Sequence, residues 1–414
     1  MAIDNKDKKV LNVPHLRFPE FSGEWKKYSF NDIAQYKKGP FGSALKKEIF
    51  VPKSADSVKI YEQQNAIKKD WELGRYYISR DYFINHMQQF IVEAGDIIVS
   101  CAGTIGEIYE LPPNAVSGVF NQALMRVRIN ATLIDKNIFI KVFSSMIDSF
   151  SKIYSNGSAI KNIPPFADLK KTNVFLPTQN EQYKISRLIS LLDERIATQN
   201  KIIEKLQSLI KGLNDNIHKG IKGETVCFSD LGEAYSGLSG KGGDDFGYGE
   251  PFITYMNVYQ NTYISEKDYE LVQIAPNEKQ NSVQYGDALF TLSSETPEEV
   301  SIGAVYLGNT QKLYLNSFCF GIHFYDERVL PQYLAHFISS SSFRRAIYPL
   351  AQGSTRFNLQ KNDFMKMKFL LPSLEKQGHI ANTLDALHCR LANEKSLTEQ
   401  YILLKKYLLS LMFI

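Results

Sequence analysis

The side chains best suited to chemistry do not form a known catalytic pattern in this sequence. None of the seven histidines belongs to a His-Glu-x-x-His motif or lies at metal-ligand spacing. Residues 236–243 (SGLSGKGG) resemble a phosphate-binding loop, but Tyr235 and Gly242 stand where that loop needs a glycine and a serine or threonine. We therefore expect neither a phosphate loop nor a metal site in this chain.

Two other short motifs resemble parts of enzymes that act on nucleic acids. Ile163-Pro164-Pro165-Phe166 is similar to the (Asn/Asp)-Pro-Pro-aromatic loop of amino-methyltransferases, but isoleucine replaces the residue that holds the amine, and no glycine-rich cofactor loop accompanies it. Asp168 and Lys170 have the spacing of a nuclease Asp-x-Lys motif, yet the second half of the chain repeats only the aspartate, as Asp363. The sequence predicts no catalytic residue.

The remaining polar segments are glycine-containing loops that carry cations, amides and aromatic rings. In residues 36–47, a Gly-Pro-Phe-Gly turn lies between two lysine pairs. Lysine neutralises phosphates, and serine, asparagine and arginine bond to base edges, so these loops predict contacts with DNA; the alternative is an ordinary solvated surface. The candidate contact residues are Lys37, Lys38, Phe41, Gly42, Ser43, Lys46, Lys47, Lys161 and Asn162 in the first half, and Lys241, Ser354, Arg356 and Asn358 in the second.

The elements that must position these loops occur twice. Pro177 and the helix after it match Pro372 and the helix after it, at one constant spacing and without a gap. Loop 155–162 recurs as loop 351–358 with different residues, which indicates one scaffold with two different readers. The identical pairs in the helix are Gln182/Gln377, Ile185/Ile380, Leu192/Leu387, Arg195/Arg390, Ala197/Ala392, Glu204/Glu399, Leu209/Leu404, Lys211/Lys406 and Leu213/Leu408.

The repeated helix has the apolar spacing of a coiled coil. Steps of four and three run from Ile185 to Ile217 with Gln199 as a polar interruption; the second copy has Glu394 there and then drifts through a stutter. Thr178 and Glu181 predict a capping box. We expect two rods of roughly 60 Å that pack on each other; the alternative is that each lies on its own globular half. The predicted contacts are Ile189, Leu192, Ile196, Leu206 and Leu213, against Leu384, Leu387, Leu391, Leu404 and Leu408.

Composition excludes several classes of protein. The 414 residues, 44% hydrophobic and 22% charged, are typical of two or three globular domains, and a net charge of +4 does not by itself indicate nucleic-acid binding. No apolar run has membrane length, the N-terminus does not resemble a signal peptide, and the four cysteines are widely spaced, which predicts a cytoplasmic protein with reduced thiols. The globular halves mix strand and helix patterns, so the predicted class is α/β (mixed α+β).

Together these segments resemble the specificity subunit of a Type I restriction-modification system. The resemblance in the first half rests on residues 16–25 (LRFPEFSGEW), 38–43 (KGPFGS), 95–98 (GDII) and 104–106 (TIG) with the proline-led helix, and in the second half on residues 235–241 and 253–258. It covers nearly the whole chain, and the internal repeat is its more specific part. It adds Thr254, Tyr255 and Asn257 to the expected DNA contacts.

The resemblance implies two similar target-recognition domains joined by a pair of long antiparallel coiled-coil helices, with a pseudo-two-fold internal repeat. It divides the chain into a lead-in and first target-recognition domain (1–178), a first conserved spacer helix (179–222), a second target-recognition domain (223–372) and a second spacer helix (373–414). Such a subunit recognises a bipartite DNA site and catalyses nothing itself.

The resemblance also implies partners. Two methyltransferase (modification) subunits would bring S-adenosylmethionine and methylate adenine N6, and restriction/translocase subunits would use ATP and Mg, so we expect no cofactor on this chain and no membrane partner. The alternative function is a coiled-coil protein-binding adaptor without sequence-specific DNA recognition.

Overall fold

The computed structural model describes residues 12–154 and 166–413, so Lys161 and Asn162 lie outside the described residues. The chain divides into two compact units, Met1–Ala197 with Gln400–Ile414, and Thr198–Glu399. Each unit combines a globular part with segments of two long helices. No helix in the described ranges is both long and apolar enough to cross a bilayer.

The described residues in the globular part of the first unit form three sheets, which are antiparallel except where β4 and β9 pair in parallel. Among its described residues, the strand order is β2-β10-β7-β8 in one sheet, β3-β5-β4-β9-β6 in a second and β1-β11 in a third. The strands are β1 Lys26–Ser29, β2 Ala34–Lys38, β3 Phe50–Val51, β4 Ser57–Tyr61, β5 Tyr77–Ser79, β6 Ile91–Val92, β7 Ile97–Ser100, β8 Ile108–Glu110, β9 Gly118–Phe120, β10 Leu124–Ile129 and β11 Asn173–Leu176. The helices are α1 Phe30–Ile33, α2 Gln63–Lys68, α3 Arg80–Tyr82, α4 Lys136–Tyr154, α5 Phe166–Lys171 and the long α6 Gln179–Lys219.

The second unit repeats this plan. Its described residues form the sheet β13-β20-β16-β18 and the pair β12-β23, which correspond to β2-β10-β7-β8 and β1-β11, and add the sheets β15-β14-β19 and β17-β22-β21. The strands are β12 Glu224–Cys227, β13 Gly232–Ser236, β14 Phe246–Ile253, β15 Tyr269–Val272, β16 Ala288–Thr291, β17 Ser293–Ser294, β18 Gly303–Val305, β19 Tyr314–Leu315, β20 Cys319–Phe324, β21 Ala351–Gln352, β22 Phe357–Leu359 and β23 Lys368–Leu371. The helices are α7 Phe228–Leu231, α8 Tyr255–Gln260, α9 Pro331–Ile338, α10 Ser341–Ile347, α11 Lys361–Met365 and the long α12 Leu374–Met412.

The repeat seen in the sequence holds at the level of single hydrogen bonds. The Ser29 amide donates to the Asp32 carboxylate at 2.7 Å in the first unit, and the Cys227 amide donates to the Asp230 carboxylate at 2.8 Å in the second, so α1 and α7 begin in the same way. Asp168 and Asp363 lie in the corresponding short helices α5 and α11. This placement supports a structural role for the repeated aspartate.

The two long helices pair with each other in antiparallel fashion within each unit. In the first unit, Lys405 donates to Asp193 at 2.5 Å and the Arg195 guanidinium lies 5.4 Å from the Tyr401 ring. In the second unit, Gln199 donates to Glu394. As the residue number rises along α6, the number of the contacting residue on α12 falls, which confirms the predicted antiparallel pair. Each helix also enters the core of its own globular part, through Ile185, Ile189, Ile380 and Leu384.

Most of the predicted contact residues lie in this packing. Leu206, Leu387 and Leu391 share one apolar cluster of the helix pair, and Leu213 packs on the core that contains Leu384. Leu408 packs on the core of the first unit with Ile189, while Leu192 and Ile196 are half-buried.

Leu404 does not lie in the seam. Leu404 is 44% exposed and the equivalent Leu209 is 54% exposed. The Lys405 side chain, in contrast, is only 26% exposed and bonds to Asp193. The seam of α12 keeps regular steps through Thr398, Tyr401, Lys405, Leu408 and Met412, so the predicted stutter is wrong. The prediction followed hydrophobicity, and two polar members of the seam, Thr398 and Lys405, misled it.

A buried glutamine fixes the start of each long helix. The Gln182 amide group donates to the carbonyl oxygens of Leu133 and Pro177, at 2.9 and 3.0 Å, and accepts from the Asp135 amide at 2.8 Å. Gln377 makes the same three bonds in the second unit, at 2.7, 2.8 and 2.8 Å, with Arg328, Pro372 and Leu330 as its partners. Both side chains are almost fully buried. We call this arrangement the glutamine latch.

The predicted capping box at the start of α6 is half correct. The Thr178 hydroxyl accepts from the Glu181 amide at 3.4 Å. The Glu181 carboxylate, however, accepts two bonds of 2.7 Å from Arg17 and one of 3.4 Å from the Trp25 indole. A buried carboxylate gains more from a two-pronged bond with a guanidinium than from one backbone amide. Glu181 therefore ties the lead-in segment to the helix.

Replacing Gln377 with leucine keeps the side-chain size and removes the latch. Three backbone groups then lose a partner in a buried place, and we expect the free energy of unfolding to fall by about 3 kcal/mol, since an unpaired buried group costs on the order of 1–3 kcal/mol. Urea unfolding of the full chain, followed by circular dichroism, measures the loss. Gln400→Leu on the exposed side of the same helix is the control, with an expected change below about 0.5 kcal/mol. Equal losses in the two variants would contradict the role of the latch.

Candidate nucleic-acid interface

Each globular part brings two turns together at one end of its four-stranded sheet. In the first unit, residues 39–42 follow β2 and residues 121–123 precede β10; we call them the glycine turn and the asparagine turn. The Gly39 amide donates to the Leu124 carbonyl at 3.0 Å, and a Cβ atom on Gly39 would overlap the carbonyl oxygen of Asn121. Only glycine fits this close approach.

The second unit has the same pair of turns. Its glycine turn is residues 237–240 and its asparagine turn is residues 316–318. The Gly237 amide donates to the Cys319 carbonyl at 3.2 Å, and a Cβ atom on Gly237 would overlap the Asn316 carbonyl oxygen. The asparagine side chain braces its own turn in both units, where Asn121 accepts from the Ala123 amide at 3.1 Å and Asn316 accepts from the Phe318 amide at 2.9 Å.

The glycine turn of the first unit presents an aromatic ring to solvent. Phe41 is 90% exposed. A short 3-10 helix, Gly42–Ala44, follows it, and the Tyr82 hydroxyl donates to the Ala44 carbonyl at 2.9 Å. Ser43 is exposed beside the ring. Phe41, Gly42 and Ser43 are therefore exposed, while their contact with DNA stays a prediction.

Lysines border this turn on both sides along the chain. Lys38, at the end of β2, and Lys46 and Lys47, after the turn, are exposed. Lys37 is half-buried, donates to the Gln89 carboxamide at 2.8 Å and lies 5.1 Å from the centre of the Phe90 ring. Three lysines are thus available to phosphates, whereas Lys37 is held by its neighbours.

The second unit presents a different set of side chains near its turns. Ser354, Arg356 and Asn358 are exposed along the hairpin of β21 and β22. The Arg356 guanidinium lies 5.9 Å from the ring of Phe318, which is 56% exposed in the asparagine turn. The hairpin and the asparagine turn therefore form one surface that carries a cation, an aromatic ring and polar side chains.

Lys241 is not available in the way the sequence suggested. Its amine donates to the Glu278 carboxylate at 2.5 Å, and its side chain is only 8% exposed. Hydrogen bonds from the Lys241 amine, the Gln280 side chain and the Ala275 amide together lower the pKa of Glu278 to about 2. A lysine that is already neutralised within the protein gains little from a phosphate, so we leave Lys241 out of the proposed surface.

Thr254, Tyr255 and Asn257 also serve the fold. The Thr254 hydroxyl caps α8 by accepting from the Asn257 amide at 3.1 Å, and the Tyr255 hydroxyl donates to the Ser293 carbonyl at 2.9 Å. Asn257 is buried and bonds to both the amide and the carbonyl of Ser265, at 3.0 and 2.8 Å. These bonds satisfy the groups that would otherwise read a base edge, so the three residues are also left out.

The sequence reasoning missed Phe318 of this surface. It also missed Lys361 beside the glycine turn, but the Lys361 amine donates at 2.7 Å to the hydroxyl of Ser236, the last residue of β13, so Lys361 is held within the protein and is left out of the surface. The signal for Phe318 was present, because the match of the repeat extends from the long helix back to Asn121 and Asn316. No group of three or more histidine, cysteine, aspartate or glutamate side chains in the described ranges could hold a metal ion.

The comparison with known proteins places both halves of the chain in one family. The family model of the Type I restriction modification DNA specificity domain matches residues 22–208 and again residues 223–400. The chain belongs to this family. Specificity subunits of the family recognise a bipartite DNA site and direct the other subunits of a Type I restriction-modification complex to it, and they are its non-catalytic DNA-recognition component.

Relatives with matching length agree with this assignment. The Type I restriction enzyme MjaVIII specificity subunit of Methanocaldococcus jannaschii is 21% identical over 445 residues, which cover 98% of this chain and 95% of that protein. The S subunit of a Type I restriction-modification system from M. genitalium has a TM-score of 0.51 at 14% identity, with 97% of this chain and 99% of that one covered. A chain from a structure of type I R-M complex assembly and conformational transition has a TM-score of 0.60, also at 14% identity, with coverage of 93% and 96%.

These findings confirm the predicted family, function and fold class of the specificity subunit. The predicted repeat corresponds to two specificity domains, and the solved S subunits share its overall fold. The adaptor without DNA recognition is set aside. Which side chains contact DNA stays a prediction.

Replacing Lys46 with alanine tests the lysines that border the glycine turn. If the amine neutralises one phosphate, affinity falls for specific and random duplexes alike, and the slope of log K against log salt becomes shallower by about one unit. Fluorescence anisotropy of labelled duplexes over a series of salt concentrations measures both quantities. Lys366→Ala, in the exposed turn after α11, is the matched control. An unchanged slope for Lys46→Ala would remove Lys46 from the interface.

Proposed function

We propose that each globular part of this specificity subunit reads one half of the bipartite site through the surface around its paired turns. For this proposal we keep the division into target-recognition domains at 1–178 and 223–372 and spacer helices at 179–222 and 373–414. The observation that carries it is the pair of turns itself, which has the same backbone bonds in both units but different exposed side chains. Two domains with the same backbone but different exposed side chains suit two different half-sites.

The proposed contact surface of the first domain is the exposed part of the glycine turn and the lysines beside it. It comprises Lys38, Phe41, Gly42, Ser43, Lys46 and Lys47. In the second domain it comprises Ser354, Arg356 and Asn358 with Phe318. Lysines would neutralise phosphates and fix the register, while serine, arginine and asparagine would read base edges. Lys161 and Asn162 stay predicted contacts.

We also propose that the other subunits supply the chemistry. Two modification subunits would bind S-adenosylmethionine and methylate adenine N6, and restriction/translocase subunits would use ATP and Mg. The repeat supports two modification subunits, because it gives the chain two equivalent helix surfaces; Leu209 and Leu404, for example, occupy equivalent positions and are both exposed. A complex that acts on the cell's DNA would work in the cytoplasm.

Deleting the gene tests the function directly. We expect one bipartite adenine-methylation motif to disappear from the genome, because modification subunits without this chain have no site to which they are directed. Long-read sequencing of adenine methylation in cells with and without the gene measures this, and the wild-type gene on a plasmid is expected to restore the motif. If the set of methylated motifs is the same in all three strains, the proposed function fails.

The helix pair is proposed to set the distance between the half-sites. Inserting one heptad after Ala197 and another after Ala392, which are equivalent positions, keeps the seam in register and lengthens both helices by about 10 Å at ~1.5 Å per residue. We expect the same two half-sites with a spacer about three base pairs longer, at ~3.4 Å per pair.

The methylation pattern in cells that carry the lengthened chain measures the spacer. A single insertion, in one helix only, is the control. It shifts one side of the seam past the other, and we expect methylation to be lost. A lengthened chain that still methylates the original spacer would show that the helices do not set the distance.

A further inference from the structure

Both domains expose one phenylalanine at their paired turns, but from opposite turns. In the first domain the ring is Phe41 of the glycine turn, and in the second it is Phe318 of the asparagine turn. The strand registers define the equivalence: Lys38 pairs with Met125 in the first domain, and Ser236 pairs with Phe320 in the second. Counting from these pairs, the equivalent of Phe41 is Ser239, and the equivalent of Phe318 is Ala123.

The position without a ring has a small side chain in both domains. Ala123 carries only a methyl group, and Ser239 is held by Gln280, which accepts from its amide at 3.1 Å and donates to its carbonyl at 2.8 Å. Each domain thus has one exposed phenylalanine on one of its paired turns and a small side chain at the equivalent position on the other turn. The two domains share the feature although they do not share the residue that provides it.

The turns hold each ring on a fixed base. The Phe41 carbonyl accepts from the Ala44 amide at 2.9 Å, and the neighbouring Gly39 is pressed against the asparagine turn. In the second domain, the Phe318 amide donates to the Asn316 side chain and its carbonyl accepts from the Leu292 amide at 2.8 Å. A ring on such a base keeps its direction without losing much conformational entropy when it meets a partner.

The surroundings of both rings suit a polyanion. Exposed lysines border Phe41 along the chain, and the Arg356 guanidinium lies 5.9 Å from the Phe318 ring. Single exposed apolar residues are common on protein surfaces. A phenylalanine among cations at the same place in both copies of a repeat, supplied by different positions, is better explained by a shared task.

We propose that Phe41 and Phe318 each insert as an apolar wedge at a base step of the half-site that their domain reads. Proteins that bend DNA use phenylalanine in this way, unstacking a base step while nearby cations hold the phosphates. The ring comes from a different turn in each domain, so the opened step would lie at a different place relative to the bases that the polar side chains read. This inference rests on the proposed function, because it assigns the wedge to the proposed DNA surface.

The experiment uses the purified full chain and duplexes that contain its methylated motif. The fluorescent base 2-aminopurine, which brightens when it is unstacked, is placed at one position per duplex through each half-site and its flanks. We expect the wild-type chain to brighten one position in each half-site. Phe41→Ala should remove the signal in the first half-site only and Phe318→Ala in the second only, each with a loss of affinity of about tenfold or more.

A matched control separates the wedge from general damage. Tyr285 is another exposed aromatic residue of the second domain, 60% exposed and away from the paired turns, so Tyr285→Ala should leave both signals in place. Circular dichroism and urea unfolding show that each variant is folded. Because both phenylalanines are exposed, we expect the unfolding curves to match the wild type.

Three outcomes would overturn the inference. The first is a wild-type chain that binds its motif without brightening any position. The second is an alanine variant that keeps both signal and affinity, and the third is a variant that loses binding of the modification subunits but not of DNA, which would assign the ring to a protein partner. A chain that does not distinguish its motif from random duplex at all would instead refute the proposed DNA surface.

Discussion

The rest of the structure depends on how each long helix is attached to its globular part, and one buried amide group at the start of the helix fixes the attachment that its apolar residues make with the core. Gln182 and Gln377 each join the first turn of a helix to three backbone groups of the preceding domain. A carboxamide is the side chain that both donates and accepts, and it satisfies both kinds of backbone group at once. Because a polar group in this place costs free energy unless it is fully bonded, the latch has one favourable geometry. The direction in which each helix leaves its domain follows from it.

In the proposed contact surfaces, by contrast, the backbone is conserved between the two copies and the side chains vary. The backbone of the paired turns is fixed by glycines that admit no side chain and by asparagines that brace their own turns. The side chains on top of that backbone differ almost completely between the two copies. Phe41 corresponds to Ser239, and Ala123 corresponds to Phe318. A fixed frame with variable exposed residues lets a protein change what it reads without losing its fold.

The architecture could be predicted from the sequence because the two halves of the chain can be compared with each other. Identical pairs such as Gln182/Gln377 revealed the repeat, and the apolar spacing from Ile185 to Ile217 predicted the helix pair, since both signals follow directly from packing. The predicted course of the apolar seam on α12 was wrong, because Thr398 and Lys405 are polar residues that nevertheless pack in the seam against their partners in the fold.

The candidate site was harder to predict for the same physical reason. Lys241 has the residue type of a phosphate ligand, but its charge is balanced by Glu278, which is distant in sequence. Asn257 has the residue type of a base reader, but its carboxamide is already bonded to Ser265 and Asn261. Residue type tells what a side chain is able to bind, whereas only the fold tells whether something already binds it. Phe318 was missed although the repeat aligns Asn316 with Asn121, because the exposure of the ring that follows Asn316 cannot be read from residue spacing.

The layer in which Gln199 meets Glu394 has a consequence for assembly. These residues are equivalent in the two copies, yet one is an amide and the other a carboxylate, and the amide donates to the carboxylate. If the second half of one chain paired with the second half of another, two glutamates would face each other in the seam, and their repulsion would oppose that association. Two first halves would bring two amides together and lose the charged acceptor. The complementary pair in this layer therefore favours the pairing of a first long helix with a second long helix over the pairing of two copies of the same helix.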